Sequence, residues 1–286
     1  MHAQEISAVV LGRTGLTVSR LAIGALDALD APTFKRAVEL GINFFITYPD
    51  YEREQQAIRG AVRGSRRNDV VLAGGSAGAS AAAVRRDLRR SLGNLKTDYL
   101  DIFYLYHVTC DTWPAICAAG GAFEALDRAR RDGTVRFTGV TVHNRHLALT
   151  IIRSGLVDVA NLRYSLAHTG HERRVLPAAV RQNCGVVAYS ALKQGLLIRR
   201  PDGWSARRRV PTAEECYRFV LGHPAVHAVW VGARDIEQIE TAARVIRPFV
   251  PLPSATERAL RQFGRFLHDA RPGIAQPSLD IHRGET

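Results

Sequence analysis

The sequence predicts an α/β fold, a (β/α)8 TIM barrel with an N-terminal β-hairpin. Short runs of β-branched and aromatic residues, which are typical of buried strands, recur along the chain. A segment with helical spacing of apolar residues follows each run. Strands that are separated by helices pair in parallel through right-handed crossovers, and eight such units in about 250 residues are typical of a closed barrel.

The predicted elements follow one another in a regular order. Residues 5–24 are expected to form a hairpin that turns at 13–15, covers the bottom of the barrel and leads into a first strand at 18–23. The further strands are predicted at residues 42–47, 70–73, 100–107, 135–142, 157–164, 185–191 and 226–231. The helices are predicted at residues 32–40, 52–64, 80–92, 121–132, 146–154, 172–182, 212–221, 235–246 and 254–269.

Local residue chemistry sets several of these boundaries. Pro49 and Asp50 end the second strand, because proline and aspartate favour turns. Ser80 is a suitable N-cap for the long helix that follows it. Gly133 and Gly155 end two later helices, since glycine tolerates the left-handed conformation of a helix C-terminus.

The composition is that of a globular protein with a substantial core, since 46% of its 286 residues are hydrophobic. No linker or change of composition interrupts residues 1–270, so we expect one domain, followed by a polar tail at 271–286. No run of 18 apolar residues and no signal peptide is evident, so we expect no membrane association. The four cysteines form no CxxC pair, which favours reduced thiols in the cytoplasm.

The formal net charge of +12 raises the question of nucleic-acid binding. Nearly all of the positive charge is arginine, and much of it lies on predicted helices. No aromatic residues alternate with these arginines, although single-strand binders use such residues as stacking platforms. We therefore interpret the charge as solvated helix faces and expect no nucleic-acid partner.

The first candidate for chemistry is the stretch 41–62, which has the sequence GINFFITYPDYEREQQAIRGAV. An apolar strand ends in a sharp polar break, and a helix begins directly after Tyr51. Side chains just past the strand ends of an α/β barrel form its active site. Tyr51 is therefore placed where a reactive side chain is expected.

Several stretches of the chain resemble the aldo/keto reductase family, over roughly residues 8–250. They are LGRTGLTVSRLAIG, GINFFITYPDYEREQQAIRGAV, RNDVVLAGG, SLGNLKTDYLDIFYLYHV, DGTVRFTGVTVHN, VDVANLRYS, GVVAYSALKQGLL and VWVGARDIEQIE. The resemblance implies a (β/α)8 barrel that binds NADP(H) or NAD(H) without a Rossmann domain. It also implies hydride transfer to a carbonyl, with a tyrosine proton donor that is tuned by a lysine, an aspartate and a histidine.

Only half of this catalytic tetrad has a counterpart here. The resemblance places the tyrosine at Tyr51 and the histidine at His107, whereas Ile46 and Gly75 stand where the aspartate and the lysine are expected. Losing both members of a buried ion pair avoids the roughly 3–5 kcal/mol penalty of losing one. Without a neighbouring cation, the pKa of Tyr51 is expected to return toward about 10 or to rise with burial.

The missing lysine also leaves space beside Tyr51, which a substrate group, a water or another side chain must fill. We expect Gly75 to border the substrate, together with Trp113 from a loop that shapes the pocket. Asp27 and Tyr48 rank first as substitutes for the lost groups, because strands one and two flank the position of Tyr51. Solvated loop positions are the favoured interpretation of the other nearby polar residues, which are Asp30, Asp50, Glu52, Glu54, His143 and Lys193.

The resemblance implies a cofactor site that matches the family only in part. The matching residues are Tyr189 against the nicotinamide, Ser190, Leu192 and Gly195 in the pyrophosphate loop, and Gly232, Arg234 and Gln238 at the adenosine phosphate. The carboxamide positions fall on Thr141, which precedes Val142 in place of the usual asparagine, and on Asn161 in place of a glutamine. Binding of NADP(H) is thus expected but weakened. No set of residues has convincing spacing for a metal site.

Three hypotheses for function remain open. The first is non-redox acid–base chemistry by Tyr51 and His107 on a small carbonyl-containing or hydroxylated metabolite, such as dehydration, isomerisation or cyclisation. The second is an NADPH-dependent carbonyl reductase with a substitute proton relay. The third is a non-catalytic sensor or binding protein, because one fold hosts many functions.

Overall fold

Eight parallel strands close into a barrel, in the order in which they occur along the chain. The computed structural model describes residues 7–24, 28–63 and 67–269. Two strands form an N-terminal hairpin, β1 (Ala8–Val10) and β2 (Thr17–Ser19). The barrel strands are β3 (Leu21–Ile23), β4 (Phe44–Ile46), β5 (Val71–Ser76), β6 (Leu100–Val108), β7 (Val135–Val142), β8 (Val159–Arg163), β9 (Gly185–Tyr189) and β10 (Ala228–Val231). The predicted (β/α)8 barrel is confirmed.

Helices separate the barrel strands, as right-handed parallel crossovers require. They are α1 (Ala31–Glu39), α2 (Glu52–Ala61), α3 (Ala81–Leu95), α4 (Trp113–Cys117), α5 (Ala122–Arg131), α6 (Arg145–Ser154), α7 (Val175–Arg181), α8 (Ala213–Gly222), α9 (Ile236–Val245) and α10 (Ser254–Asp269). The Ser80 side chain caps α3 as predicted, accepting a hydrogen bond from the Ala83 amide at 3.3 Å. Among the described residues, no helix is long and apolar enough to cross a membrane.

The hairpin covers the amino-terminal end of the barrel, as predicted. Arg13, in the turn between β1 and β2, donates hydrogen bonds to the carbonyls of Gly155 and Val157, which precede β8. It also pairs with Asp158 at 3.0 Å. Because all three partners of Arg13 directly precede β8, the hairpin covers the end of the barrel opposite the carboxyl ends of the strands. The open end of the barrel is therefore the one that presents loops to a ligand.

Two sequence predictions of strands were wrong in detail. The single strand predicted at 18–23 is divided between β2 and β3, because the chain changes partners at Arg20. It leaves antiparallel pairing with β1 and enters parallel pairing with β4 and β10. The strand predicted at 70–73 continues to Ser76, since Gly74 and Gly75 pair with β6 instead of forming a turn.

Candidate active site

The last inward-facing residues of the strands form the upper layer of the barrel. In β4, β6, β9 and β10, the buried inner residues Ile46, Tyr104, Val187 and Ala228 are followed two positions later by Tyr48, Tyr106, Tyr189 and Trp230. Side chains two apart on a strand share a face. His143 and Arg163 stand two positions after Thr141 and Asn161 on β7 and β8 by the same rule. The carboxyl end of the barrel is thus lined mainly by aromatic side chains.

Five of these side chains and His107 form a closed circle, here called the aromatic rim. It runs through Tyr48, Tyr106, His107, His143, Tyr189 and Trp230 and back to Tyr48, with neighbouring ring centroids 4.1 to 6.4 Å apart. Most neighbouring pairs are tilted or edge-to-face, the arrangements that aromatic quadrupoles favour. The rim therefore surrounds the mouth with groups that are apolar in body and polar at the tip.

His107 joins the rim through an irregularity in β6. The pairing of β6 with β7 shifts register between Leu105 and Val108, and His107 has a φ of 58°. A bulge of this kind redirects side chains and is common beside active sites. A left-handed backbone at a non-glycine residue costs roughly 1–3 kcal/mol. The fold thus keeps a strained backbone at His107, whose ring contacts the rings of Tyr106 and His143.

Tyr51 lies beside the rim at the start of α2. Its amide donates to the carbonyl of Tyr48 at 3.0 Å, which closes the turn between β4 and the helix. The Tyr51 ring is 6.3 Å from the ring of Tyr48, and the ring of Tyr106 lies between Tyr48 and His107. The structure thus brings Tyr51, Tyr48 and His107, all predicted from the sequence, to the same end of the barrel.

The space expected for the family's lysine is filled by two tyrosine rings. A Cβ at Gly75 would lie 2.7 Å from the carbonyl oxygen of Tyr104, 3.0 Å from Tyr106 and 3.1 Å from Tyr48. Ile46 is fully buried in the inner core. From the sequence, a substrate group, a water or another side chain was expected to fill this space. The structure contains another side chain there. Gly75 therefore allows Tyr48, Tyr106 and the Tyr104 backbone to pack closely at this position.

Burial sets the protonation of the rim. It raises the pKa of Tyr48, Tyr106 and Tyr189 above the usual value for phenols. Packing around the imidazoles lowers the pKa of His107 and of His143, and the charge of Arg163 adds to the effect on His143. At neutral pH the phenols hold their protons and the imidazoles are uncharged. The rim then presents hydrogen-bond donors beside neutral bases.

A hydrogen bond connects two members of the rim. The Tyr189 hydroxyl and Nδ1 of His143 are 2.9 Å apart. Either group can be the donor: Tyr189 donates to Nδ1 in the tautomer whose proton is on Nε2, and Nδ1 donates to the hydroxyl oxygen in the other tautomer. The side of the ring away from Tyr189 therefore offers a proton in the first tautomer and a free nitrogen base in the second.

A polar pair below the rim fits a nicotinamide carboxamide. Nδ2 of Asn161 donates to the Thr141 hydroxyl at 3.3 Å, and Thr141 also interacts with the Tyr48 hydroxyl. Oδ1 of Asn161 is buried and has no hydrogen-bond partner among the described residues. Buried acceptors are normally paired, so an amide donor suits this position. Tyr189, which is half-buried, pairs with Arg163, two positions beyond Asn161 on β8.

The loops after β9 and β10 fit the phosphates of a nucleotide. Ser190, Lys193, Gln194 and Gly195 have positive φ values and form a tight turn, with Leu192 packed against the core. After Gly232, the Arg234 amide donates to the Gln238 side chain at 3.2 Å. The Arg234 side chain is exposed, and no carboxylate within the described ranges pairs with it. An exposed guanidinium without a counter-charge suits a phosphate.

Two predicted substrate positions remain. Asp27 lies outside the described residues. Trp113, at the start of α4, packs edge-to-face on Phe123 with centroids 5.6 Å apart, so its ring belongs to a contact with α5. Within the described part of the chain, no three His, Cys, Asp or Glu side chains are grouped as metal ligands.

Tyr106 and Trp230 were not predicted from the sequence, and His143 was predicted to be a solvated loop residue. The alternation of inward-facing and outward-facing side chains along each strand could have identified these three residues. Each stands two positions beyond an inward-facing residue, at the carboxyl end of a strand. Tyr106 was overlooked because His107, one position later, carried the resemblance.

The sequence and the fold of this chain are similar to those of known proteins. The sequence model of the Aldo/keto reductase family matches residues 9–203. "Uncharacterized oxidoreductase YqkF" of Bacillus subtilis is 26% identical, covering 80% of this chain and 87% of the relative. L-galactose dehydrogenase of Arabidopsis thaliana is 25% identical, covering 82% and 86%.

Among solved structures, the holo form of aldo-keto reductase AKR11C1 from Bacillus halodurans is similar in fold. Its TM-score is 0.77 at 22% identity, covering 91% of this chain and 96% of that chain. The family match spans most of the barrel, including Tyr51, the aromatic rim up to Tyr189 and the loop after β9. The chain belongs to the aldo/keto reductase family and is an enzyme of that family.

Proposed function

We propose that this enzyme transfers a hydride between a nicotinamide cofactor and a small carbonyl or hydroxyl compound at the aromatic rim. The observation that carries the proposal is the closed rim of phenols and imidazoles above the Thr141–Asn161 pair. It places proton-transfer groups beside a position suited to a carboxamide. The oxidoreductase relatives support the redox interpretation over the non-redox one.

In this proposal, no lysine takes part in proton transfer to the carbonyl oxygen. When bound, the reduced nicotinamide supplies the hydride. Tyr51 is the proposed proton donor to the carbonyl oxygen, with Tyr48 and Tyr106 held protonated beside it by burial. Donated hydrogen bonds stabilise negative charge on that oxygen. His107 is the proposed relay: its exposed ring takes a proton from solvent at one nitrogen and passes the proton of the other nitrogen to the phenols.

NADP(H) is the proposed cofactor, with Thr141 and Asn161 at its carboxamide and Tyr189 against the nicotinamide ring. Ser190, Leu192 and Gly195 would pass the pyrophosphate, and Gly232, Arg234 and Gln238 would hold the adenosine phosphate. The support is the unpaired Oδ1 of Asn161 and the exposed guanidinium of Arg234. We place the activity in the cytoplasm, which the sparse cysteines favour.

The substrate class follows from the size and chemistry of the rim. The relative named L-galactose dehydrogenase supports a hydroxylated aldehyde or its cyclic form. Phenol and imidazole tips around an apolar circle suit a small polyhydroxyl compound. They bind hydroxyl groups while the ring faces pack on carbon.

Non-redox acid–base chemistry is the second candidate, favoured by one observation. His107 and His143 are stacked with centroids 6.4 Å apart, and both have a lowered pKa. Two neutral bases that face each other suit the removal of a proton from carbon. This chemistry needs no nicotinamide, so cofactor dependence separates the two candidates.

The test is turnover of a panel of small aldehydes and sugars with and without NADPH, followed by NADPH absorbance and by product analysis. We expect oxidation of NADPH in step with carbonyl loss. Tyr51→Phe should reduce kcat by roughly 100-fold or more, the usual contribution of a positioned proton donor. Tyr99→Phe, whose hydroxyl bonds Asn68 at the other end of β6, is the matched control. Product formation at equal rate without NADPH would overturn the redox proposal.

A further inference from the structure

A cavity lies beside the rim, between the first turns of α6 and α7. It has a volume of about 520 Å³. Its lining includes His143 of the rim, Asn144 at the N-cap of α6, and the four arginines Arg145, Arg163, Arg173 and Arg174. This cavity is called the arginine cleft below. Because Arg163 ends β8 on the inner face and His143 belongs to the rim, the cleft and the barrel mouth share a wall.

The cleft concentrates positive charge that the protein does not neutralise. Within the described ranges, none of its four arginines is paired with a carboxylate, and no acidic side chain lines it. Arginines elsewhere behave differently, since Arg67 and Arg136 both pair with the buried Asp101. Like charges that line one cavity repel each other unless an anion enters it. The arrangement therefore suits an anionic ligand.

The positive charge of the cleft contributes to the lowered pKa of the neighbouring histidines. Burial, with the charges of Arg145 and Arg163, lowers the pKa of His171 to about 4. Burial also lowers the pKa of His143, with Arg163 as the next contribution. Arg163 thus lies close enough to both to affect their titration. The positive charge of the cleft extends from the α7 side to the rim.

One wall of the cleft is shaped to hold a guanidinium in place. A Cβ at Gly170 would collide with the guanidinium of Arg145, so glycine at this position allows the group to lie against the backbone. Asn144 caps α6 by accepting from the amides of His146 and Leu147 at 2.9 and 3.1 Å. The backbone donors at this helix end are thereby used, and the arginines remain as the donors for a ligand.

We propose that the arginine cleft binds a phosphate-type dianionic group of the substrate while the substrate's carbonyl lies at the rim. The inference rests on the proposed function and adds the substrate class, a phosphorylated small carbonyl compound. The group belongs to the substrate and not to the cofactor, because the loops assigned to cofactor phosphates follow β9 and β10. The cleft instead follows β7 and β8. Four guanidiniums match a dianion better than a single carboxylate.

The experiment is calorimetric titration of inorganic phosphate into the full-length protein, with and without saturating NADPH. The variants are Arg163→Gln and Arg174→Gln. Their matched controls are Arg153→Gln and Arg181→Gln, which change the same charge at the far ends of α6 and α7. Thermal melting verifies that each variant is folded. Acetate, titrated in parallel, distinguishes a dianion site from a carboxylate site.

We expect one phosphate per chain in both states, weakened by about tenfold or more in each cleft variant and by less than about twofold in each control. Acetate should bind at least about tenfold more weakly than phosphate. Equal loss in the controls, acetate binding as tightly as phosphate, or competition between phosphate and NADPH would overturn the inference. Phosphate binding without NADPH binding would contradict the proposed function alone. NADPH binding without phosphate binding would contradict the cleft alone.

Discussion

Replacing Gly75 with alanine tests whether tyrosine rings fill the position of the missing lysine. The added Cβ would lie 2.7 Å from the Tyr104 carbonyl oxygen, which is backbone and cannot rotate away. It would also lie 3.0 Å from Tyr106 and 3.1 Å from Tyr48. Forcing a methyl group into a packed core costs about 1–3 kcal/mol. The reduced entropy of the unfolded chain offsets about 0.4–1 kcal/mol of this. We expect a net loss of about 1–2 kcal/mol.

The assay is urea unfolding followed by circular dichroism, with the midpoint compared at unchanged slope. Gly93→Ala is the matched control, because Gly93 lies in α3 with no atom within 4 Å of an added Cβ. That variant should be stabilised by roughly 0.5–1 kcal/mol, since alanine is the better helix former. If Gly75→Ala were as stable as the natural protein, the space beside Tyr48 would be open and our description of the rim would be wrong.

Three further predictions concern separate parts of the molecule. Asp101→Ala should lower the free energy of unfolding by about 1–3 kcal/mol, because it leaves the buried Leu72 amide without its acceptor and removes the carboxylate that the partly exposed Arg67 and Arg136 share; a loss below about 0.5 kcal/mol in urea unfolding would contradict this. The free energy of unfolding should fall as the pH decreases from about 6.5 toward 4. In this range His171 binds a proton in the unfolded chain but not in the folded protein, where burial lowers its pKa to about 4. His171→Gln should reduce this pH-dependent loss of stability by up to about 3 kcal/mol, whereas replacing the exposed His146 with glutamine should leave the loss unchanged. The measurement is urea unfolding at several pH values. Equal pH dependence of stability in the two variants would refute the role of His171. Arg234→Ala should weaken NADPH binding about tenfold and NADH binding little, because only NADPH carries the adenosine phosphate; equal weakening of both cofactors in a calorimetric titration would argue against a phosphate at Arg234.

The sequence predicted the strands best where local chemistry marks both ends. β7 spans Val135–Val142, as predicted, because glycine precedes it and a polar turn follows it. The division between β2 and β3 could not be predicted. A continuous apolar run does not show where a strand changes its partner. Gly74 and Gly75 concealed the end of β5, since their role depends on residues that approach from neighbouring strands. An added Cβ would meet Leu100 and Phe103 at Gly74, and Tyr48, Tyr104 and Tyr106 at Gly75.

The site was predictable in its location and only partly in its members. Tyr51 was identified because a strand, a break and a helix are local patterns. The aromatic rim joins Tyr48 to Trp230 across the closure of the barrel, with centroids 6.1 Å apart. No local pattern specifies that contact. Alternation along β6 would have pointed to Tyr106, once the barrel and its inward faces were assumed.

The most direct test of the central claim is calorimetric titration of NADPH into the cofactor-stripped protein, with Tyr189→Ala as the site variant and Tyr99→Phe as the control. We predict one site with a Kd of about 10 μM or below, weakened at least about tenfold by Tyr189→Ala and unchanged by Tyr99→Phe. Such a result would support a nicotinamide site bordered by the aromatic rim. No binding at millimolar NADPH would contradict a nicotinamide-dependent reaction at the rim and would favour acid–base chemistry by Tyr51 and His107.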